Sequence, residues 1–392
     1  MGIRIGFAKR SITPATGTEL GGYAGYRPCA GVHDPLWCKA VVLEQAGKRY
    51  ALVALDLLCV DEALSEHIRL AVESLGICHV VVAAIHSHAT PCGVVPGEGP
   101  LAEVNAFGDA DPGLFRAYIQ RVIENAADAC REAAAKLEAF EIRTARGAAP
   151  VIGSERHTGK PANAVMTVVQ CRTESGRNLT VYQIPCHPTV LGPENLLASA
   201  DFVGGIEERL DTDMAVFLNG AAGDISTRFT RREATFEECD RMAQIASGAV
   251  RELIKEVPYG PPGELQGLHS VIPLKVRPVD SGEQARKALE EATARWQAAV
   301  DAGEDPGTVR ILKSYVEGAG VSLEFSRTLR SIRRLYLPVT VFSFAGLRFA
   351  TVPGEMFSSQ GQRFHESVPY SPDIIRSIWW KGVSCGLGRV PR

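Results

Sequence analysis

The sequence predicts an α/β protein with central β-sheets flanked by helices. Three observations carry this. The apolar, β-branched run Val80-Val81-Val82-Ala83-Ala84-Ile85 reads as a buried strand that stops at His86-Ser87-His88. It follows the strand-like Tyr50–Asp56 and the helix-spaced Glu62–Leu75, an order that suggests a parallel sheet with strand ends at one edge. Farther on, Asp111–Leu137 carries a long amphipathic pattern between strands.

Taken in order, Ile3–Thr13 reads as a strand ending in a turn at Pro14. Gly17–Gly31, rich in glycine and tyrosine, is a loop closed by His33-Asp34-Pro35. Ala40–Leu43 and Tyr50–Asp56 are strands joined at Ala46-Gly47-Lys48. After the His86 strand comes a Gly/Pro loop, Gly93–Gly108, and then the long helix. Strands are expected at Glu141–Ala148, Val165–Gln170 and Leu179–Ile184, the last running into Cys186-His187-Pro188. A helix starts near Phe202, and Met214–Leu218 is a further buried strand. Phe236–Glu256 and Ser281–Asp301 are helices, and Gly303–Gly320 continues a helical excursion. Leu335–Phe344 and Leu347–Val352 form a hairpin that ends in Pro353-Gly354-Glu355. The expected organisation is one catalytic domain, 1–392, with a helical insertion at about 280–330.

Composition narrows the function. At 45% hydrophobic and 22% charged, the 392 residues suit an ordinary globular core. A net charge of -3 gives no reason to expect nucleic acid as a partner. No apolar run reaches the roughly 18–20 residues of a membrane span, and the first residues carry no signal-peptide pattern. The ten cysteines include no CxxC pair, and several lie in apolar runs. A cytoplasmic protein with reduced thiols is expected.

The chemistry is expected at strand ends. In a strand, residues i and i+2 share a face, so His86 and His88 would project together from a buried strand's mouth. His187 and Glu355 also close apolar strands. Two histidines and a carboxylate form a common catalytic zinc set with one position left for water. Zinc would lower the pKa of that water to about 7. Each residue also has a plain structural reading: a solvated or capping histidine, a core histidine before proline, a carboxylate at a helix start. Asn219-Gly-Ala-Ala-Gly-Asp-Ile-Ser226 is either a structural turn or a source of oxyanion donors, with Ser226 a possible nucleophile. It is not the GxSxG elbow. Asp56, Asp201 and Asp224 are candidates for carboxylates that orient the histidines.

The stretches His86-Ser-His-Ala-Thr-Pro, Cys186-His-Pro-Thr-Val-Leu-Gly-Pro, Ser199-Ala-Asp201, Asn219–Ser226 and Pro353-Gly-Glu355 occur in this order. Together they resemble the amino-terminal catalytic domain of the neutral/alkaline, non-lysosomal ceramidase family. More closely, they resemble its short bacterial relatives without the carboxy-terminal immunoglobulin-like domain. The resemblance implies α/β/β/α layers and one zinc per chain held by His86, His187 and Glu355. It implies a proton-handling role for His88, a nucleophilic or substrate-positioning role for Ser226, and a place near substrate for Arg156. The family's fourth ligand is a tyrosine beyond the glutamate. Ser371–Arg392 contains none and is marked instead by Trp379-Trp380, while Tyr370 stands close to Glu355 in sequence.

The expected function is therefore zinc-dependent hydrolysis of a small-molecule N-acyl amide, with membrane ceramide not the default substrate of a cytoplasmic chain. In that scheme His88 protonates the leaving amine. The alternatives are a metal-independent serine acyl hydrolase using Ser226 and His88, and a non-catalytic metal-binding relative.

Overall fold

A computed structural model describes residues 2–377 apart from 24, 99–110, 157, 163, 277, 329–332, 345–346 and 368–371. Tyr370 and Trp379-Trp380 lie outside the described residues. From the amino terminus, β1 (Arg4–Ser11) leads through a loop with the short β2 (Gly31–Val32) to the hairpin β3 (Trp37–Gln45) and β4 (Lys48–Leu55). The turn residues Ala46 and Gly47 take φ of 51° and 78°, the left-handed pair a two-residue hairpin requires. Helix α1 (Glu62–Ala71) starts where the Asp61 carboxylate accepts from Leu64 N at 2.7 Å, and it crosses to β5 (Ile77–Ala84). Next come α2 (Pro112–Ala135), β6 (Glu138–Ala148), the bridge β7 (Ser154–Glu155), and the hairpin β8 (Val165–Thr173) and β9 (Asn178–Gln183). The short β10 (Leu197–Ala198) and α3 (Gly204–Glu207) precede β11 (Met214–Leu218), β12 (Ile225–Ser226) and α4 (Phe236–Ile254).

Eight strands form one sheet in the order β11-β9-β8-β6-β1-β3-β4-β5. The strand–helix–strand order had implied a parallel sheet, and this is corrected here. Only β4–β5 and β9–β11 pair in parallel, and the other five pairs are antiparallel. Tight hairpins such as Gln45–Lys48 leave no room for a crossover, so they force antiparallel pairing. The crossovers occur where α1 and α3 intervene, and these are the two places that build the site.

The described residues divide into two compact units, one of residues 2–270 and 338–377, the other Val271–Leu337. Strand β13 (Gln266–Lys275) runs out of the first. In the second, α5 (Gly282–Asp301) opens with a capping box at Ser281 and packs on α6 (Pro306–Thr328), with Lys313 Nζ 4.0 Å above the Trp296 ring. Strand β14 (Arg334–Phe344) leads back to β15 (Leu347–Pro353), α7 (Ser358–Ser367) and β16 (Pro372–Ser377). These strands form a second sheet, in the order β13-β14-β15-β16. No helix among the described residues is long and apolar enough to cross a membrane.

The core of the first unit follows the period-two pattern of the large sheet. One face carries Ala8, Ala40, Val42, Val53 and Val168 against Ile68 of α1, Val122 and Ala133 of α2, and Val250 of α4. The other carries Ile5, Phe7, Val41, Val169 and Val216, with Phe349 of β15 in the same cluster. Gly6 lies on the helix-facing side of β1, and a Cβ there would fall 2.0 Å from the Ala133 carbonyl oxygen. Its missing side chain lets α2 lie directly on the sheet. Gly6→Ala is expected to lower the unfolding free energy by about 1–3 kcal/mol in urea denaturation, because the helix must move to admit one methyl group.

Candidate active site

The parallel β4–β5 pair brings two chain segments to one edge. Strand β5 ends at Ala84, and the chain continues with Ile85 N donating to Leu55 O at 3.1 Å and His86 N to Leu57 O at 3.0 Å. The i, i+2 argument therefore does not apply to His86 and His88, which lie beyond the strand. His86 turns into the left-handed region, φ 70°, at a cost on the order of 1–3 kcal/mol that its surroundings must offset. The turn still brings the rings together, their centroids 5.1 Å apart and their planes at 89°. The imidazole of His86 is buried, and its Nδ1 lies 2.7 Å from Leu58 O.

The second parallel pair supplies the rest. After β9, His187 N and His187 Nδ1 both reach Ile225 O, at 3.1 and 2.9 Å. After β11, Asn219 Nδ2 donates to Ile85 O at 3.2 Å, tying this edge of the sheet to the end of β5 at the opposite edge. In each histidine Nδ1–H donates to a backbone carbonyl, so the lone pair lies on Nε2, beside Glu355. Between them stands Glu355, just after β15. Its Oε1 is 3.4 Å from His86 Nε2, and its Oε2 is 3.4 Å from His187 Nε2. His88 completes the group. One nitrogen from each of His86, His88 and His187 lies within 4.8 Å of the others, a cluster that could hold a metal ion.

Both ring nitrogens of His88 are buried without a hydrogen-bond partner. Burial first, and then the neighbouring imidazoles of His86 and His187, hold its pKa well below the ordinary histidine value, against the pull of Glu355. Its neutral form is thus the favoured one at pH 7. Ser226 is buried at the start of a short turn, where its hydroxyl accepts from Arg228 N at 3.5 Å. Arg156 braces the neighbouring turn. Its backbone N donates to Asp224 O at 2.8 Å and its guanidinium to Gly223 O at 3.2 Å. Within the 220–226 turn, the amides of Ala222, Gly223 and Ile225 already donate to Gly220, Met356 and Ala222 carbonyls, so they are not oxyanion donors.

The carboxylates expected to orient the histidines are engaged elsewhere. Asp56 accepts from Trp37 N at 2.8 Å and lies in a buried charge cluster with Lys39 and Glu207, where burial pushes its pKa up to about 6. Asp201, at φ 57°, accepts from Leu191 N and Phe202 N. Asp224 accepts from the amide and hydroxyl of Ser358. Carbonyls do the orienting instead, and carbonyls carry no signature in a sequence.

Asn219 entered the sequence reading only as the start of the Asn219–Ser226 turn, and Arg27 went unmarked. The buried guanidinium of Arg27 donates to the carbonyls of Pro193, Gly21, His88 and Asn195 at 2.7–3.1 Å. It also stands 5.0 Å from the ring centre of Tyr23, whose hydroxyl donates to Leu191 O at 2.6 Å. The sequence signal was an arginine inside a glycine-aromatic loop, where solvent exposure is the ordinary expectation.

In its fold the chain is similar to the crystal structure of neutral ceramidase from Pseudomonas aeruginosa, with a TM-score of 0.71 at 18% identity over 96% of this chain and 67% of that one. It is likewise similar to a ceramidase complexed with C2, with a TM-score of 0.69 at 16% identity over 96% of this chain and 68% of that one. No family model matches the sequence, and no curated protein matches it. The likeness establishes the ceramidase-type α/β fold implied by the motifs.

Arg27→Met leaves the four carbonyls around His88 without their donor. It is expected to lower stability by about 3 kcal/mol or more in thermal or urea unfolding. Arg27→Lys should recover little, because an ammonium cannot span the same fork of acceptors.

Proposed function

We propose that the chain is a zinc-dependent hydrolase of an N-acyl amide, with one zinc ion held by His86, His187 and Glu355. The observation that carries this is the Glu355 carboxylate lying 3.4 Å from both histidine Nε2 atoms. Ligands about 2.0–2.2 Å from a tetrahedral zinc stand roughly 3.3–3.5 Å from one another, so the carboxylate lies from each imidazole at the spacing of two neighbouring corners of such an ion's site. Neutral imidazoles with a carboxylate suit zinc better than the oxygen-seeking calcium or magnesium. The ceramidase-type fold supports an amide as the bond cleaved.

When bound, the ion would supply a Lewis acid that polarises the amide carbonyl and acidifies a water. The protein does the rest. The Leu58 and Ile225 carbonyls lock the tautomers of His86 and His187, so neither ring reorganises during the reaction. We assign Ser226 to the substrate carbonyl, as the hydroxyl that steadies its developing charge. Arg156 holds the loop before Ser226 through Gly223 and Asp224, and keeps a positive charge near His88. A small-molecule acyl amide is the assigned substrate class.

The serine-hydrolase alternative requires a Ser226–His88 hydrogen bond. Neither nitrogen of His88 has a hydrogen-bond partner, and Ser226 Oγ accepts from Arg228 N. No observation favours that alternative.

Protein purified without added metal is expected to carry about one zinc per chain, and His86→Ala or His187→Ala to abolish it. Metal analysis reads this directly, and full zinc in both variants would sink the assignment. A chelator should remove hydrolysis of an N-acyl amide panel, and added zinc should restore it. Ser226→Ala is expected to keep the metal and to slow turnover by about 10²–10³, the scale of losing one oxyanion donor. Complete loss together with a trapped wild-type acyl-enzyme would transfer the role to serine chemistry.

A further inference from the structure

The carbonyl that holds His86 belongs to a segment with a second feature. Just beyond β4, the chain around Val60 runs beside the chain around Gly93 as a short parallel pair. Leu58 N donates to Pro91 O at 3.0 Å, Gly93 N to Cys59 O at 2.9 Å, and Asp61 N to Gly93 O at 2.9 Å. Val60 stands opposite Gly93, so one position earlier Cys59 stands opposite Cys92. Opposed residues of paired strands put their side chains on the same face. The two thiols meet there as hydrogen-bond partners. Gly21 lies against them, and its missing side chain leaves room for the sulfur, since a Cβ there would stand 2.5 Å from Cys92 Sγ. Cys59 is buried and Cys92 half-buried, so solvent reaches the pair through Cys92. The hydrolysis scheme uses neither sulfur.

We infer that Cys59 and Cys92 form a redox modification site, a dithiol that a hydroperoxide closes to a disulfide and that acts on His86 through Leu58. The Cys92 sulfur attacks a peroxide oxygen, the O–O bond breaks, and hydroxide leaves with the thiol proton as water, giving a sulfenic acid. The Cys59 sulfur then attacks the Cys92 sulfur. The S–O bond breaks, and the hydroxide takes the Cys59 proton as a second water. Two thiols have lost two electrons, and the peroxide has gained them. Neighbouring strands lie roughly 4.7–4.9 Å apart, whereas the Cβ atoms of a disulfide lie about 3.5–4.5 Å apart. Closure therefore draws the two segments together by up to about an ångström. Leu58 is next to Cys59, and its carbonyl moves with it, taking along the hydrogen bond to His86 Nδ1. This inference requires no metal and stands apart from the zinc reading.

Wild-type protein, reduced and freed of reductant, is treated with a small excess of hydrogen peroxide, alkylated and digested with trypsin. Mass spectrometry is expected to find a Cys59–Cys92 linked peptide, about 2 Da lighter than its two thiol peptides together, that dithiothreitol removes. Fragmentation distinguishes Cys92 from Cys78, which shares its tryptic peptide. In Cys59→Ala, dimedone should trap the Cys92 sulfenic acid, because the second thiol is gone. The imidazole NMR signals of His86, identified by their loss in His86→Gln, should shift on oxidation and return on reduction. Thiols left intact in the wild type, Cys92 carried to sulfinic acid without a link, a link to Cys78 instead, or a Cys59–Cys92 link that leaves the His86 signals unmoved each overturns the inference. The wild-type measurements decide it even where a variant fails to fold.

Discussion

Two hydrogen bonds organise this molecule, His86 Nδ1 to Leu58 O and His187 Nδ1 to Ile225 O. Each accepting carbonyl follows a strand of a parallel pair: Leu58 comes after β4, and Ile225, in β12 beyond β11, also accepts from His187 N. The parallel pairs are what place these strand ends beside the histidines. The left-handed turn at His86 then aims the ring, and the surrounding contacts must hold it there, since a non-glycine residue does not adopt that conformation freely.

Beyond the ends of the large sheet, polar side chains add to the short backbone pairings such as β2–β10 and β7–β12. Arg27 gathers four carbonyls from separate segments, and Asn219 joins the two edges of the large sheet through Ile85. Arg27 is 4% exposed and Asn219 0% exposed, so these are interior fasteners. Their removal would leave buried acceptors without these donors.

Much of this was legible in the sequence, and the rest fails for identifiable reasons. Strands that are apolar over several residues, such as Val80–Ala84 and Met214–Leu218, announced themselves, as did the amphipathic α2 and α4. The convergence of His86, His187 and Glu355 was suggested by their common position at strand ends. Sheet direction was misjudged because one βαβ unit was taken to stand for the whole, while the hairpins dictated otherwise. Asp56, Asp201 and Asp224 were misassigned because sequence shows carboxylates and hides carbonyls. Arg27 was passed over because a charged residue in a glycine-rich loop looks like surface until its acceptors are seen.

Glu355 follows β15, the strand paired to β14 and β16 in the second sheet, and the chain reaches it only after the whole α5–α6 excursion. A chain emerging from synthesis therefore completes both histidine-bearing segments long before the carboxylate exists. Until then the two imidazoles have their carbonyls but no counter-charge, and a cation would find half a site. The approach of Glu355 to both histidines joins segments far apart in sequence, so it is a late event for a chain that folds as it is made.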